Sequence, residues 1–137
     1  MRPSGLIAVA SIILRLSFQE ITMPALIDFD ATPPDHSTWG PPQGGWTRIA
    51  AGIYSCSTAS HGGYWLSPAR LDAMPDTLRA QSWNGTSPWF EEDCDVLLVV
   101  RAFPDLFSAE MREYAEKDRL SRILMAKREA ARQKSRV

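Results

Sequence analysis

From residue 109 to residue 137 the chain has neither glycine nor proline, while residues 28–45 alone hold four prolines and three glycines. This uneven placement constrains the fold more than any other feature. Proline removes a backbone donor and fixes φ, so no regular helix crosses Thr32-Pro33-Pro34 or Gly40-Pro41-Pro42. The longest stretch free of glycine and proline lies toward the C-terminus, and a long helix is expected there, after residue 108. Residues 23–45 read instead as an extended arm, with Trp39 available to pin it to a core and Asp28, Asp30 and Asp35 solvated.

Ser108 is a good N-cap for the long helix. Met111, Tyr114, Ala115, Leu120, Ile123 and Leu124 follow at close to helical spacing, and Lys127 ends that apolar stripe. Glu113–Lys117 and Asp118–Arg122 are supportive i,i+4 pairs. Fraying is expected after Ala131, leaving residues 132–137 as a basic tail.

Residues 46–50, 53–57 and 64–66 have strand character, with Gly52 where a tight turn is needed. Ser67-Pro68 pairs an N-cap with the proline favoured at the first helical position, and Pro75 stops that helix. Asp76 is placed to cap a further turn. Ser87-Pro88 repeats the device. A second helix is therefore expected from Pro88, with Glu91, Glu92 and Asp93 in its first turn, where the helix dipole favours acids. The apolar run at residues 96–100 reads as its continuation, a buried strand being the alternative. The fold expected is α+β. A small antiparallel sheet packs against two or three helices, the long C-terminal one among them, in a single domain over residues 46–131.

Residues 1–22 read differently. Arg2 precedes an apolar run at residues 5–14 that resembles the start of a signal peptide, but ten residues are too few to span a membrane. No small-residue cleavage site follows, and Met23-Pro24-Ala25 looks like an ordinary start. Residues 1–22 are expected to be an extension outside the fold, and the protein to be cytoplasmic with no membrane partner.

Residues 117–137 carry eight Lys or Arg against two acids, while residues 1–116 carry seven against fourteen. An acidic body with a basic helix follows, with Lys127, Arg128 and Arg132 as candidate nucleic-acid contacts. Cys56 and Cys94 make neither a disulfide framework nor a zinc motif. The zinc-deaminase signature, the Gly-x-Ser-x-Gly elbow, the His-Glu-x-x-His helix and the phosphate-binding glycine loop are all missing.

Two clusters remain that could carry chemistry. Ser60-His61-Gly62-Gly63-Tyr64-Trp65 sets a histidine on a glycine turn, where it can act as general base or metal ligand. The plainer role is a turn histidine bonded to a backbone carbonyl. Trp89-Phe90-Glu91-Glu92-Asp93-Cys94 gathers carboxylates that can share a proton or bind a cation. If the clusters meet, His61, Glu91 and Glu92 are the candidate catalytic residues. His61, Glu91 and Asp93 are then the candidate ligands of a divalent metal. Ser60, Gly62, Gly63, Tyr64, Trp65 and Trp89 are candidate binding residues. A Cys94–His61 nucleophile stays open, whereas Cys56 with His61 is too local.

These clusters, together with Met74-Pro75 and Phe103-Pro104, resemble a family of uncharacterised bacterial domains marked by Ser-His-Gly-Gly and Trp-Phe/Tyr-Glu-Glu-Asp motifs. The resemblance covers roughly residues 46–107. It implies a setting among accessory genes of proteobacterial chromosomes, plasmids and phages, and no mechanism. The function expected first is that of a small accessory protein of a mobile element. It would bind a host protein or nucleoprotein complex, for instance to inhibit a defence system. The alternatives are a metal-assisted hydrolase and a nucleic-acid binder using the basic helix.

Overall fold

The computed structural model of the chain describes residues 26–136. The reading of residues 1–22 as an extension lies outside them. Four strands form an antiparallel meander in the order β1-β2-β3-β4: β1 Thr47–Ala50, β2 Ile53–Ser57, β3 Gly62–Leu66 and β4 Trp89–Glu91. Helices α1 (Pro68–Ala73) and α2 (Asp76–Arg79) lie between β3 and β4. Helices α3 (Val96–Ala102) and α4 (Ala109–Ser135) follow, joined through a 3-10 turn at Pro104–Leu106. The expected α+β class is the one observed.

Local chemistry explains most of the element ends. Gly52 turns β1 into β2 at φ 75°, and a Cβ there would overlap the Phe29 carbonyl and the Ser67 hydroxyl. Ser67 caps α1 by accepting from Arg70 N–H, as Ser108 caps α4 by accepting from Met111 N–H, each at 3.2 Å. Asp76 does not cap α2. Pro75 holds the N-cap position, and Asp76 pairs with Arg79 at 2.7 Å instead.

The helix expected from Pro88 is corrected. Residues 89–91 are the fourth strand, and helix begins only at Val96. Pairing decides this. Tyr64 stands opposite Phe90 and Trp65 opposite Trp89, so Phe90 is fully buried in the core. The edge of β3 gains its hydrogen bonds from this strand, and that outweighs a local cap signal. Residues 96–100 are helical, as the first of the two readings had it.

Side chains alternate across the sheet. Ile53, Leu66 and Phe90 point to the helices and form the core with Met74, Leu78, Leu98 and Val99. Gly63, Trp65, Trp89 and Glu91 share the opposite face by register. The arm covers that face. Gln43 N–H donates to Ser57 O at 2.8 Å, Trp46 Nε1 donates to Pro34 O at 2.9 Å, and Trp39 lies against Gly63. Asp30 is not simply solvated: it accepts from Gly52 N–H at 3.1 Å and from the Tyr54 hydroxyl at 2.8 Å. Those donors hold its carboxyl below the usual range, the Tyr54 hydroxyl contributing most.

The long helix docks chiefly on α3 rather than on the sheet. Ala115 is its buried residue, and Arg122 reaches back to Cys94 O at 2.9 Å. Tyr114, Leu120, Ile123 and Leu124 remain exposed. Spacing alone does not decide whether an apolar face finds a partner. The helix also runs past Ala131, where fraying was expected, to Ser135.

Candidate functional site

A cleft of about 510 Å³ opens where the arm, the loop after α2, strand β4 and the turn before α3 converge. Three tryptophans form its walls: Trp39 from the arm, Trp83 from the loop and Trp89 from β4. Gly63 makes the first placement possible, because a Cβ there would meet both the Trp39 ring and the Phe90 carbonyl. Trp39 then packs edge-on to Trp89, ring centroids 5.7 Å apart, while Trp46 stacks on Trp89 at 6.0 Å.

Trp83 is presented differently. Asn84 and Gly85 both take positive φ, so the chain turns sharply just after it. The residue is 73% exposed, yet its backbone N–H donates to Asp95 Oδ2 at 3.0 Å. Asp95 is 6% exposed, and among the described residues this is its carboxylate's only hydrogen bond from another backbone amide. Asp95 and Glu91 are the two charged residues lining the cleft, and no Lys or Arg lines it.

Glu91 joins the cleft to the histidine turn. His61 Nδ1 lies 3.1 Å from Glu91 Oε1, and Cys94 Sγ lies 3.8 Å from Glu91 Oε2. The turn is fixed by Thr58, whose N–H and hydroxyl both donate to His61 O at 2.7 Å. The two sequence clusters therefore meet through His61 and Glu91. Burial pushes the Cys94 thiol up from its ordinary value, and the negative charges of Asp95 and Glu91 push it further the same way. The thiol stays protonated at neutral pH, which argues against a Cys94–His61 nucleophile. Cys56 is also raised, by burial first, and is itself buried.

The remaining candidates land apart. Glu92 lays its carboxylate against Gly62 and lines a separate depression with Tyr64, Val96 and Met111. Glu91 is the last residue of β4 and Glu92 the first beyond it, and their successive side chains leave toward opposite faces of the sheet. Asp93 is exposed in the turn before α3. Among the described residues no three His, Cys, Asp or Glu side chains converge as a metal site. His61 and Glu91 give two ligands where a zinc site takes three or four from the protein.

Ser60 is exposed, and Gly62 pairs with Ser57 at the start of β3. Tyr64 stacks on Phe107 at 6.2 Å, and Trp65 is buried, so both are taken up by packing. Lys127, Arg128 and Arg132 are exposed on α4, Arg132 with Glu129 at 3.7 Å.

Sequence reading missed Trp83 and Asp95 as site residues and took Trp39 only as a pin for the arm. The Asn84-Gly85 turn beside Trp83 was the signal that this indole sits at a tip. Arg70 was missed as well. It is 7% exposed, its guanidinium donates to Ala51 O at 3.1 and 2.8 Å, and it lies between the rings of Phe29 (3.9 Å) and Phe103 (4.8 Å).

No curated protein and no solved structure matches the chain significantly. Residues 32–134 match a family model described as Domain of unknown function (DUF7007), a wider span than the motifs alone had covered. The chain belongs to the DUF7007 family.

Proposed function

We propose that this chain is a binding module that engages a partner protein through its tryptophan cleft. One observation carries the reading: Trp83 holds a large indole out in solvent on a backbone tied to buried Asp95. Exposed, pre-positioned tryptophans bury much area on binding at little entropic cost, and they recur among the energetic centres of interfaces. The cleft volume falls within the range of ligand sites. In the mobile-element setting that the family resemblance implies, the partner is a host macromolecule, and a defence complex is one concrete form.

The hydrolase reading keeps a single supporting contact, His61 with Glu91 at 3.1 Å. That pair is half exposed, and the thiol within reach of it is held protonated. The nucleic-acid reading rests on the exposed basic residues of α4.

A photo-crosslinking residue placed at Trp83 tests the binding reading, with Asp72 on α1 as the control position. In cells of the host, a discrete covalent adduct is expected from position 83 and none from position 72. Equal adducts from both positions, or none from position 83, would overturn it.

A further inference from the structure

We infer that the occupant of the cleft is a cationic side chain of the partner, an arginine in preference to a lysine; this rests on the binding reading above. The cleft is lined by the indoles of Trp39, Trp83 and Trp89 and by two carboxylates, those of buried Asp95 and of partly exposed Glu91. Indole faces attract cations through their quadrupole. Carboxylates repel anions, and a neutral apolar group would strip water from both without compensation. A cation satisfies all of these walls at once. No Lys or Arg lines the cleft, and His61, which lies 3.1 Å from Glu91, is not among its lining residues.

Asp95 sharpens the choice. Its carboxylate is buried, accepts from Trp83 N–H at Oδ2 and has the Cys94 thiol beside it, with no cation among these partners. A guanidinium is planar, stacks on aromatic rings and offers a fork of donors to a carboxylate, so it can meet Trp83 and Asp95 together. An ammonium offers a point charge without the stacking plane. The same chemistry already operates inside this chain, where Arg70 is sandwiched between Phe29 and Phe103.

The test uses the full chain and four capped tripeptides, Gly-X-Gly with X arginine, lysine, citrulline or glutamate. Nitrogen-15 NMR follows the tryptophan indole N–H signals through each titration. Citrulline keeps the shape of arginine and removes its charge. Binding of the arginine peptide is expected to be at least about tenfold tighter than that of the citrulline peptide, with lysine between them and glutamate silent. Asp95→Asn retains an acceptor for Trp83 N–H and should weaken the arginine peptide about tenfold while leaving citrulline unchanged. Trp83→Ala, at an exposed site, provides a second variant with the same expected loss should Asp95→Asn disturb folding. Equal binding of arginine and citrulline, or full binding by Trp83→Ala, overturns the inference. If position 83 crosslinks a partner while arginine and citrulline bind alike, the ligand class fails and the binding reading stands. If position 83 gives no adduct, the binding reading itself fails.

Discussion

The arm places two aromatic residues against two glycines of the sheet, and the two places end differently. At Gly52, Phe29 helps close a sandwich around Arg70, whose guanidinium is spent on the Ala51 carbonyl. At Gly63, Trp39 helps build a cleft that stays open, lined by two carboxylates and by an exposed indole. In the first, the cation belongs to the chain and no carboxylate is needed, because a backbone carbonyl and two rings hold it. In the second, the anions belong to the chain and the cation is left to come from elsewhere. One composition, aromatic rings with a charge among them, gives stability when closed and recognition when open.

Breaking the closed half should have the largest effect. Arg70→Met leaves the Ala51 carbonyl without its partner and removes the cation from between two rings. A loss of about 3 kcal/mol is expected in urea unfolding followed by circular dichroism. Arg70→Lys should recover part of it, since the charge returns without the bidentate fork. A loss below about 1 kcal/mol for Arg70→Met would mean that the sandwich contributes little beyond its shape.

The two glycines separate the halves. Alanine at either position meets backbone carbonyl oxygen, Phe29 at Gly52 and Phe90 at Gly63. Each substitution should cost about 2 kcal/mol, since both glycines also take a positive φ, 75° at Gly52 and 159° at Gly63. The sharper outcome concerns binding. Gly63→Ala displaces Trp39 and should abolish the arginine-peptide response, whereas Gly52→Ala should leave it intact in the folded fraction. Loss of binding in both variants would show that the arm moves as one piece and that the two places are not independent.

Much of this architecture was legible from local chemistry. Ser67-Pro68, Ser108 and Gly52 act where the sequence puts them, because a cap or a positive φ is decided by a few neighbouring residues. What was not legible depended on partners distant in sequence. Ser87-Pro88 carries the same cap signature as Ser67-Pro68, yet strand follows it, because Trp89 and Phe90 pair with Trp65 and Tyr64. Arg70 sits in an ordinary short helix, and only Phe29 and Phe103, each over thirty residues away, make it a core residue. The meeting of His61 with Glu91 was anticipated from two clusters. Its geometry was not, since it follows from β4 being a strand.

That geometry gives the smallest effect, one that bears on the open half alone. Cys94 shares Glu91 with His61 and adjoins Asp95, so its thiol is raised by burial and by two carboxylates. Only the thiolate is alkylated, so at neutral pH Cys94 should react with iodoacetamide more slowly than a free cysteine, despite being exposed. The rate should rise only as pH climbs through the raised value. Removing a carboxylate lowers that value, so the rate profile should move to lower pH. Asp95→Asn should move it further than Glu91→Gln, because Asp95 is the larger of the two charge effects. Mass spectrometry of the modified peptide keeps Cys94 distinct from buried Cys56. A Cys94 that reacts faster than free cysteine at neutral pH would mean a nearby positive charge dominates the cleft. The cleft would then be suited to anions, the reverse of what Asp95 and Glu91 imply.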